Sequence, residues 1–261
     1  MMSSKIIADN FSRGADLYDE SARCQGHAAK TLAGMIFKDC PALPRNARIL
    51  ELGCGTGFLT ERMFNMYPSA SFTVTDISRK MIERCKAKTD GIGAGNKDFM
   101  ICDFDLKIPR DKFDLVVSST AFQWSSDLSR LASGIKERLR PGGKLFFSIL
   151  AEPTFHELKE TFKALDISYP GPRLMTESEI RKAFCIFKAR TFSGETWCET
   201  YKSTSAFLRH INSIGAGNPT EKRIGTGNLR RIIAAHNSKS GHGHDIEAVY
   251  RIEYGMLGKQ W

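Results

Sequence analysis

No stretch of the 261-residue chain approaches the roughly 18 consecutive apolar residues that a membrane-spanning helix needs. The opening MMSSKIIADNFSRG lacks the apolar run of a secretory leader. A cytoplasmic protein with no membrane partner is the expectation. The seven cysteines, at 24, 40, 54, 85, 102, 185 and 198, form no C-x-x-C pair. That leaves no support for a zinc finger or a dithiol redox centre. Several lie inside apolar runs, as buried reduced thiols do. No dense Lys/Arg block accompanies the formal net charge of +9, so nucleic acid is not the expected partner. No lysine completes a G-x-x-x-x-G-K-[ST] loop, and the HEL at His156 lacks the second histidine of H-E-x-x-H. A phosphate-cradling P-loop and a zinc protease are both excluded. His242 and His244, with Asp245, read as a solvated loop in the Gly/His-rich 240–245 segment, so no metal is expected.

What is present is an ordinary globular composition, 41% hydrophobic and 26% charged. The length fits one large domain with insertions. Phe11, Ala15, Tyr18 and Ala22 recur at helical spacing and would share one helix face. The prolines of CPALPRN end that pattern. Strands and helices then alternate: ARILEL, FLTERMFNMY, ASFTVTD, SRKMIERCKAK, KDFMICDFD, FDLVVSSTAF, LSRLASGIKERL and KLFFSIL. This order predicts an α/β fold, a doubly wound and mostly parallel sheet with helices on both faces. The continuous apolar runs LVVSS and LFFSIL suit its doubly buried centre. A helical cap is expected over 1–45, a ligand-binding core over 46–151, and lid helices with closing strands over 152–261. In the last part, Thr176 and Glu179 form a capping box, and two β-rich segments predict an antiparallel pair that finishes the sheet.

The segment ILELGCGTGFLTERM crowds three glycines into the turn after the first strand. In an open α/β sheet, ligands bind beyond the carboxyl ends of the strands. Gly53, Gly55 and Gly57 there would admit ligand atoms to the backbone. Their G-x-G-x-G spacing differs from the dinucleotide G-x-G-x-x-G. Glu51 precedes the turn, Asp76 ends the second strand and Asp103 ends the third. Carboxylates there can accept from ribose hydroxyls and an adenine amine, and they suit a sulfonium better than a phosphate. The cofactor this favours is S-adenosyl-L-methionine.

The arrangement resembles the class I S-adenosylmethionine-dependent methyltransferases, whose first motif ELGCGTG nearly reproduces. Four further stretches resemble, in order, the malonyl-acyl-carrier-protein O-methyltransferases of biotin synthesis: FSRGADLYDESARCQ, SSTAFQWSSDL, EPTFHELKETF and FLRHINSIGAGNP. The chain departs from that family in the extra glycine of IGAGNP and in SKSGHGHD. The resemblance implies transfer of the methyl group to the free carboxylate of a malonyl thioester. It implies an acidic acyl carrier protein as partner, which the +9 charge would suit, and a chain working as a monomer or with a hydrolase partner.

No general base is needed, because a carboxylate is ionised at neutral pH. Positioning and partial desolvation should supply the rate. A cation for the substrate carboxylate and a lid are therefore expected. Tyr18, Gln123, Trp124 and Arg209 are the candidate catalytic residues, with Arg209 as the bidentate clamp and Arg173 as its rival. Glu51, Gly53, Gly55, Gly57, Asp76, Ile77, Asp103, Phe104 and Ser119 are the candidate cofactor contacts. Cys54 lies in the glycine turn with no histidine partner apparent. Three alternatives stay open: methylation of another small carboxylate such as trans-aconitate, a protein that only binds the cofactor, and a nucleotide-dependent oxidoreductase.

Overall fold

The computed structural model describes residues 3–217, 224–239 and 245–260. Three helices open the chain: α1 (Ser4–Gly14), α2 (Tyr18–Ser21) and α3 (Arg23–Asp39). The core follows as β1 (Arg48–Leu52), α4 (Phe58–Met66), β2 (Ser71–Asp76), α5 (Arg79–Lys88), β3 (Lys97–Ile101) and β4 (Phe113–Ser119). A 3-10 turn at Phe122–Trp124 leads to α6 (Leu128–Arg138) and β5 (Leu139–Ala151). Then come α7 (His156–Ala164), α8 (Glu177–Ala183), β6 (Ala189–Tyr201), α9 (Thr204–Ser213), α10 (Thr226–Lys239) and β7 (Ile246–Gly258).

The seven strands form one sheet in the order β3-β2-β1-β4-β5-β7-β6. The first five are parallel, and β7 runs antiparallel to both β5 and β6. The strand order reverses between β1 and β4, which opens a crevice beyond the carboxyl end of β1. β4 owes its central place to its apolar run: Leu115, Val116 and Val117 are fully buried. Ser78 caps α5, Asp127 caps α6, and the Thr176–Glu179 capping box closes the start of α8.

The N-terminal segment departs from a single continuous helix. α1 stops at Gly14, Leu17 N donates to Gly14 O at 3.2 Å, and a new turn of helix begins at Tyr18. The break folds Tyr18 back so that its ring meets Phe11, with centroids 6.5 Å apart. It also lets the N-terminal cap meet the end of α9, backbone to backbone. A Cβ on Gly14 would lie 2.5 Å from Ser213 O, and one on Gly215, at φ +72°, would lie 2.8 Å from Asn10 O. Polar contacts fasten the cap to the core beside the crevice. Asp16 pairs with Lys80 and Arg84, Asp19 pairs with Lys88, and Ser12 and Ser78 share a 2.8 Å hydrogen bond.

No helix among the described residues is long and apolar enough to cross a membrane. All seven cysteines are free thiols. Among the described residues no group of three His, Cys, Asp or Glu could hold a metal ion. His242 and His244 lie outside the described residues.

Candidate active site

The glycine turn after β1 is tied to the neighbouring strand. Gly53 N and Cys54 N both donate to Thr75 O, at 2.9 and 2.8 Å, and Gly55 N donates to Asp76 Oδ2 at 2.9 Å. Gly53, Gly55 and Gly57 take φ of +75°, +53° and +98°, the left-handed region that side chains disfavour. A Cβ on Gly53 would also lie 2.4 Å from Ala121 Cβ, whereas a Cβ on Gly57 would press on Cys85 Sγ at 2.9 Å. Gly57 therefore serves the turn and the start of α4, and it does not line the cavity above.

That cavity is lined by the other eight expected cofactor contacts: Glu51, Gly53, Gly55, Asp76, Ile77, Asp103, Phe104 and Ser119. With Asp105, the described residues of its lining include four carboxylates and no lysine, arginine or histidine. A pyrophosphate would be repelled here and a sulfonium attracted, which removes the dinucleotide oxidoreductase. Each acid has a distinct state. Burial pushes Glu51 up to about 8, against a hydrogen bond from the Thr60 hydroxyl, with the Asp76 charge adding to the rise. Burial pushes Asp76 up to about 6, opposed by the backbone N–H groups of Ser78, Gly55 and Ile77. Its Oδ1 and Oδ2 each accept one of those bonds, from Ser78 N and Gly55 N, which leaves lone pairs for a diol. Asp103 Oδ1 accepts from Asp105 N at 3.0 Å, while Asp103 Oδ2 is buried without a partner. A buried orphan acceptor marks the place of an absent donor, and the adenine amine of the cofactor fits it. Burial holds the Cys54 thiol protonated, so it is no nucleophile.

A second cavity adjoins the first. The two share Phe11, Tyr18, Gln25, Thr120 and Trp124. Gln123, Leu150, Thr154, Phe155, Tyr169 and Tyr250 also line the second. Among the described residues no charged side chain lines it. Aromatic rings stand along the junction: Tyr18 lies 6.2 Å from Phe58 and 6.5 Å from Phe11, and Trp124 meets Phe11 edge-on at 5.4 Å. Thr120, at φ +48°, is a β-branched residue in the left-handed region. Its N–H is held by Ser148 O and Ser148 Oγ, at 2.9 and 3.1 Å. Gln123 Nε2 donates to Thr120 O at 2.6 Å, and Gln123 Oε1 is buried and unpartnered.

Three of the four candidate catalytic residues thus line this pair of cavities. Arg209 does not. It is exposed on α9, whose buried side carries Thr204, Phe207 and Ile211. Arg209 lines a separate outer groove of about 490 Å³ that shares Tyr169, Ile211 and Ala216 with the uncharged cavity. Its rival Arg173 is exposed and paired with Glu179, and it lines neither cavity. Neither arginine is positioned as a clamp in the cavities. Sequence reasoning missed Phe11, Gln25, Phe58, Thr120 and Tyr250; of these only Phe11 carried a signal, its helical spacing to Tyr18.

Residues 49–143 match the model of a methyltransferase domain family. Over its whole length the chain is 31% identical to malonyl-[acyl-carrier protein] O-methyltransferase 2 of Ilyobacter polytropus, covering all of that relative. It is 30% identical to the malonyl-[acyl-carrier protein] O-methyltransferase of Magnetococcus marinus, over 98% of this chain and 93% of that one. Among solved structures, the YcgJ protein of Bacillus subtilis superposes with a TM-score of 0.62 at 17% identity, over 89% of this chain and 99% of that one. A Haemonchus contortus phosphoethanolamine N-methyltransferase in complex with S-adenosyl-L-methionine superposes with a TM-score of 0.55 at 15% identity, over 88% of this chain and 53% of that one. With a sheet, a glycine turn and an acidic cavity of this kind, the chain belongs to the malonyl-acyl-carrier-protein O-methyltransferase family, within the class I S-adenosylmethionine-dependent methyltransferases.

Proposed function

We propose that this chain esterifies the free carboxylate of a malonyl thioester borne by an acidic acyl carrier protein, an early step of biotin synthesis. The observation that carries the proposal is the pair of joined cavities, one rich in carboxylates and one without charge. The bound cofactor supplies an electrophilic methyl group. The protein's part is placement and exclusion of water. Glu51, Asp76 and Asp103, with Ile77, Phe104, Ser119 and the Gly53–Gly55 backbone, hold the cofactor. The rings of Phe11, Tyr18, Phe58 and Trp124 cover the junction. A carboxylate delivered there loses hydration, which raises its reactivity, and it needs no base. Tyr18, Gln123 and Trp124 border its path.

The outer groove supplies a route for the carrier's long arm, and the exposed Arg209 on its rim suits an acidic partner. The enzyme would work in the cytoplasm, alone or with a hydrolase that acts later on the ester. A second reading, methylation of a small free carboxylate such as trans-aconitate, is disfavoured by that groove, which a short acceptor would leave unused.

The test is methyl transfer from labelled cofactor to malonyl-carrier protein, malonyl-CoA and trans-aconitate in parallel. Label on the malonyl thioesters, with the carrier form preferred, is expected. Label on trans-aconitate alone would overturn the proposal.

A further inference from the structure

A malonyl carboxylate in this site meets an unusual partner set. Among the described residues no guanidinium, and no Lys or His, lines either cavity. Two neutral donors are present instead. Gln25, on α3, is only 8% exposed and lines both cavities. Its side chain makes no hydrogen bond to any described residue, so its two amide N–H groups are unused. Tyr250, on β7, lines the uncharged cavity with its ring against Phe155 at 4.7 Å; its hydroxyl is buried beside the Tyr201 hydroxyl and the Glu199 carboxylate, with no well-formed hydrogen bond among the described residues. Burial and the nearby Glu199 charge keep that phenol protonated, hence a donor. Buried donors left unpaired are costly unless a ligand satisfies them.

Resting on the malonyl reading above, we infer that Gln25 and Tyr250 receive the acceptor carboxylate as uncharged donors, and that its counter-charge is the cofactor's own sulfonium, no cation of the described residues lining the cavities. Two consequences follow from the chemistry. A neutral amide orients the carboxylate without forming the tight ion pair that would blunt its attack on the methyl carbon. The new O–CH₃ bond forms as the S–CH₃ bond breaks, and the electron pair of that bond stays on sulfur. Both products of transfer are then neutral at the reacting atoms. The attraction that gathered the acceptor vanishes in the same step, so ester and spent cofactor do not hold each other in place. Acceptor affinity is thus set by the charge of the cofactor. Gln123 Oε1, also buried and without a partner among the described residues, is an acceptor and offers that carboxylate no hydrogen bond.

The experiment is equilibrium binding of malonyl-CoA and malonyl-carrier protein to enzyme saturated with one of two non-reacting ligands. Sinefungin carries a protonated amine where the cofactor carries its methylsulfonium; S-adenosylhomocysteine is neutral there. Wild-type enzyme should bind the malonyl thioester at least tenfold more tightly with sinefungin. Gln25→Leu should weaken binding about tenfold in both complexes and raise KM with a smaller change in kcat. Tyr250→Phe should do the same severalfold. Gln25→Glu, isosteric but anionic, should weaken acceptor binding more than Gln25→Leu does while sinefungin still binds, which a packing role would not produce. Arg173→Ala should leave all of these values unchanged. Equal affinity in the two complexes, or a Gln25→Leu enzyme with wild-type Kd and KM, overturns the inference while the malonyl reading stands. A wild-type enzyme that binds and methylates neither malonyl thioester overturns that reading, and the inference with it.

Discussion

Replacing Glu51 by glutamine should change how stability depends on pH, in a direction the structure dictates. Glu51 is 2% exposed in β1, and burial pushes its carboxyl up to about 8, from 4.5 when solvated. The folded pKa lies above the unfolded one, so folding takes up a proton between those values. The neutral-acid contribution is fully present below about pH 4.5, declines across the window, and is lost above about pH 8. At about 1.4 kcal/mol per pH unit, that interval is worth on the order of 5 kcal/mol. Glutamine has nearly the same volume and cannot ionise. Urea unfolding of the cofactor-free enzyme at pH 5, 6, 7, 8 and 9, at fixed ionic strength, reads the difference directly. The two proteins should be of similar stability at pH 5. The variant should gain on the wild type by several kcal/mol by pH 8 and then run parallel to it. Asp76, raised to about 6, contributes its own slope to both proteins, and because its charge adds to the rise of Glu51 the difference between them steepens once Asp76 ionises. Parallel curves from pH 5 to pH 8 would show that Glu51 is solvated or already paired in the folded chain and that burial does not raise its pKa.

Asp103→Asn should weaken cofactor binding about tenfold, the order expected when a buried acceptor becomes a donor. Calorimetric titration checks it, with KM for the malonyl thioester unmoved; an unchanged cofactor Kd would remove Asp103 from the adenine. Gly53→Ala should cost about 2–4 kcal/mol, because its Cβ meets Ala121 Cβ at 2.4 Å on a left-handed backbone. Adding Ala121→Gly should recover part of that loss in the same unfolding assay; no recovery would deny the contact its role. Arg209→Glu should raise KM for the carrier-bound substrate more than for malonyl-CoA, and the gap should narrow as salt rises. Equal effects on both substrates would place the carrier elsewhere.

The acidic cavity was legible in the sequence because its lining is local. Three glycines in one turn and acids at successive strand ends announce themselves by position, and the parallel sheet brings those ends together. The uncharged cavity was mostly not legible. Gln25 and Tyr250 are 225 positions apart in the chain, and they line one cavity only because β7 inserts between β5 and β6. Nothing local marks either residue, since a glutamine on a helix and a tyrosine on a strand are ordinary. Arg209 lies outside both cavities for the converse reason: an arginine suits a carboxylate chemically, but the apolar stripe of α9 decides which way the helix faces. The same locality explains the N-terminal helix, where regular spacing from Phe11 to Ala22 concealed the break at Gly14.

The close approach of Gly14 to Ser213 and of Gly215 to Asn10 leaves no room for a side chain between two segments about 200 positions apart in the chain. A methyl group added at either glycine would press on the other segment's backbone, so the N-terminal cap and the end of α9 tolerate change only as a pair.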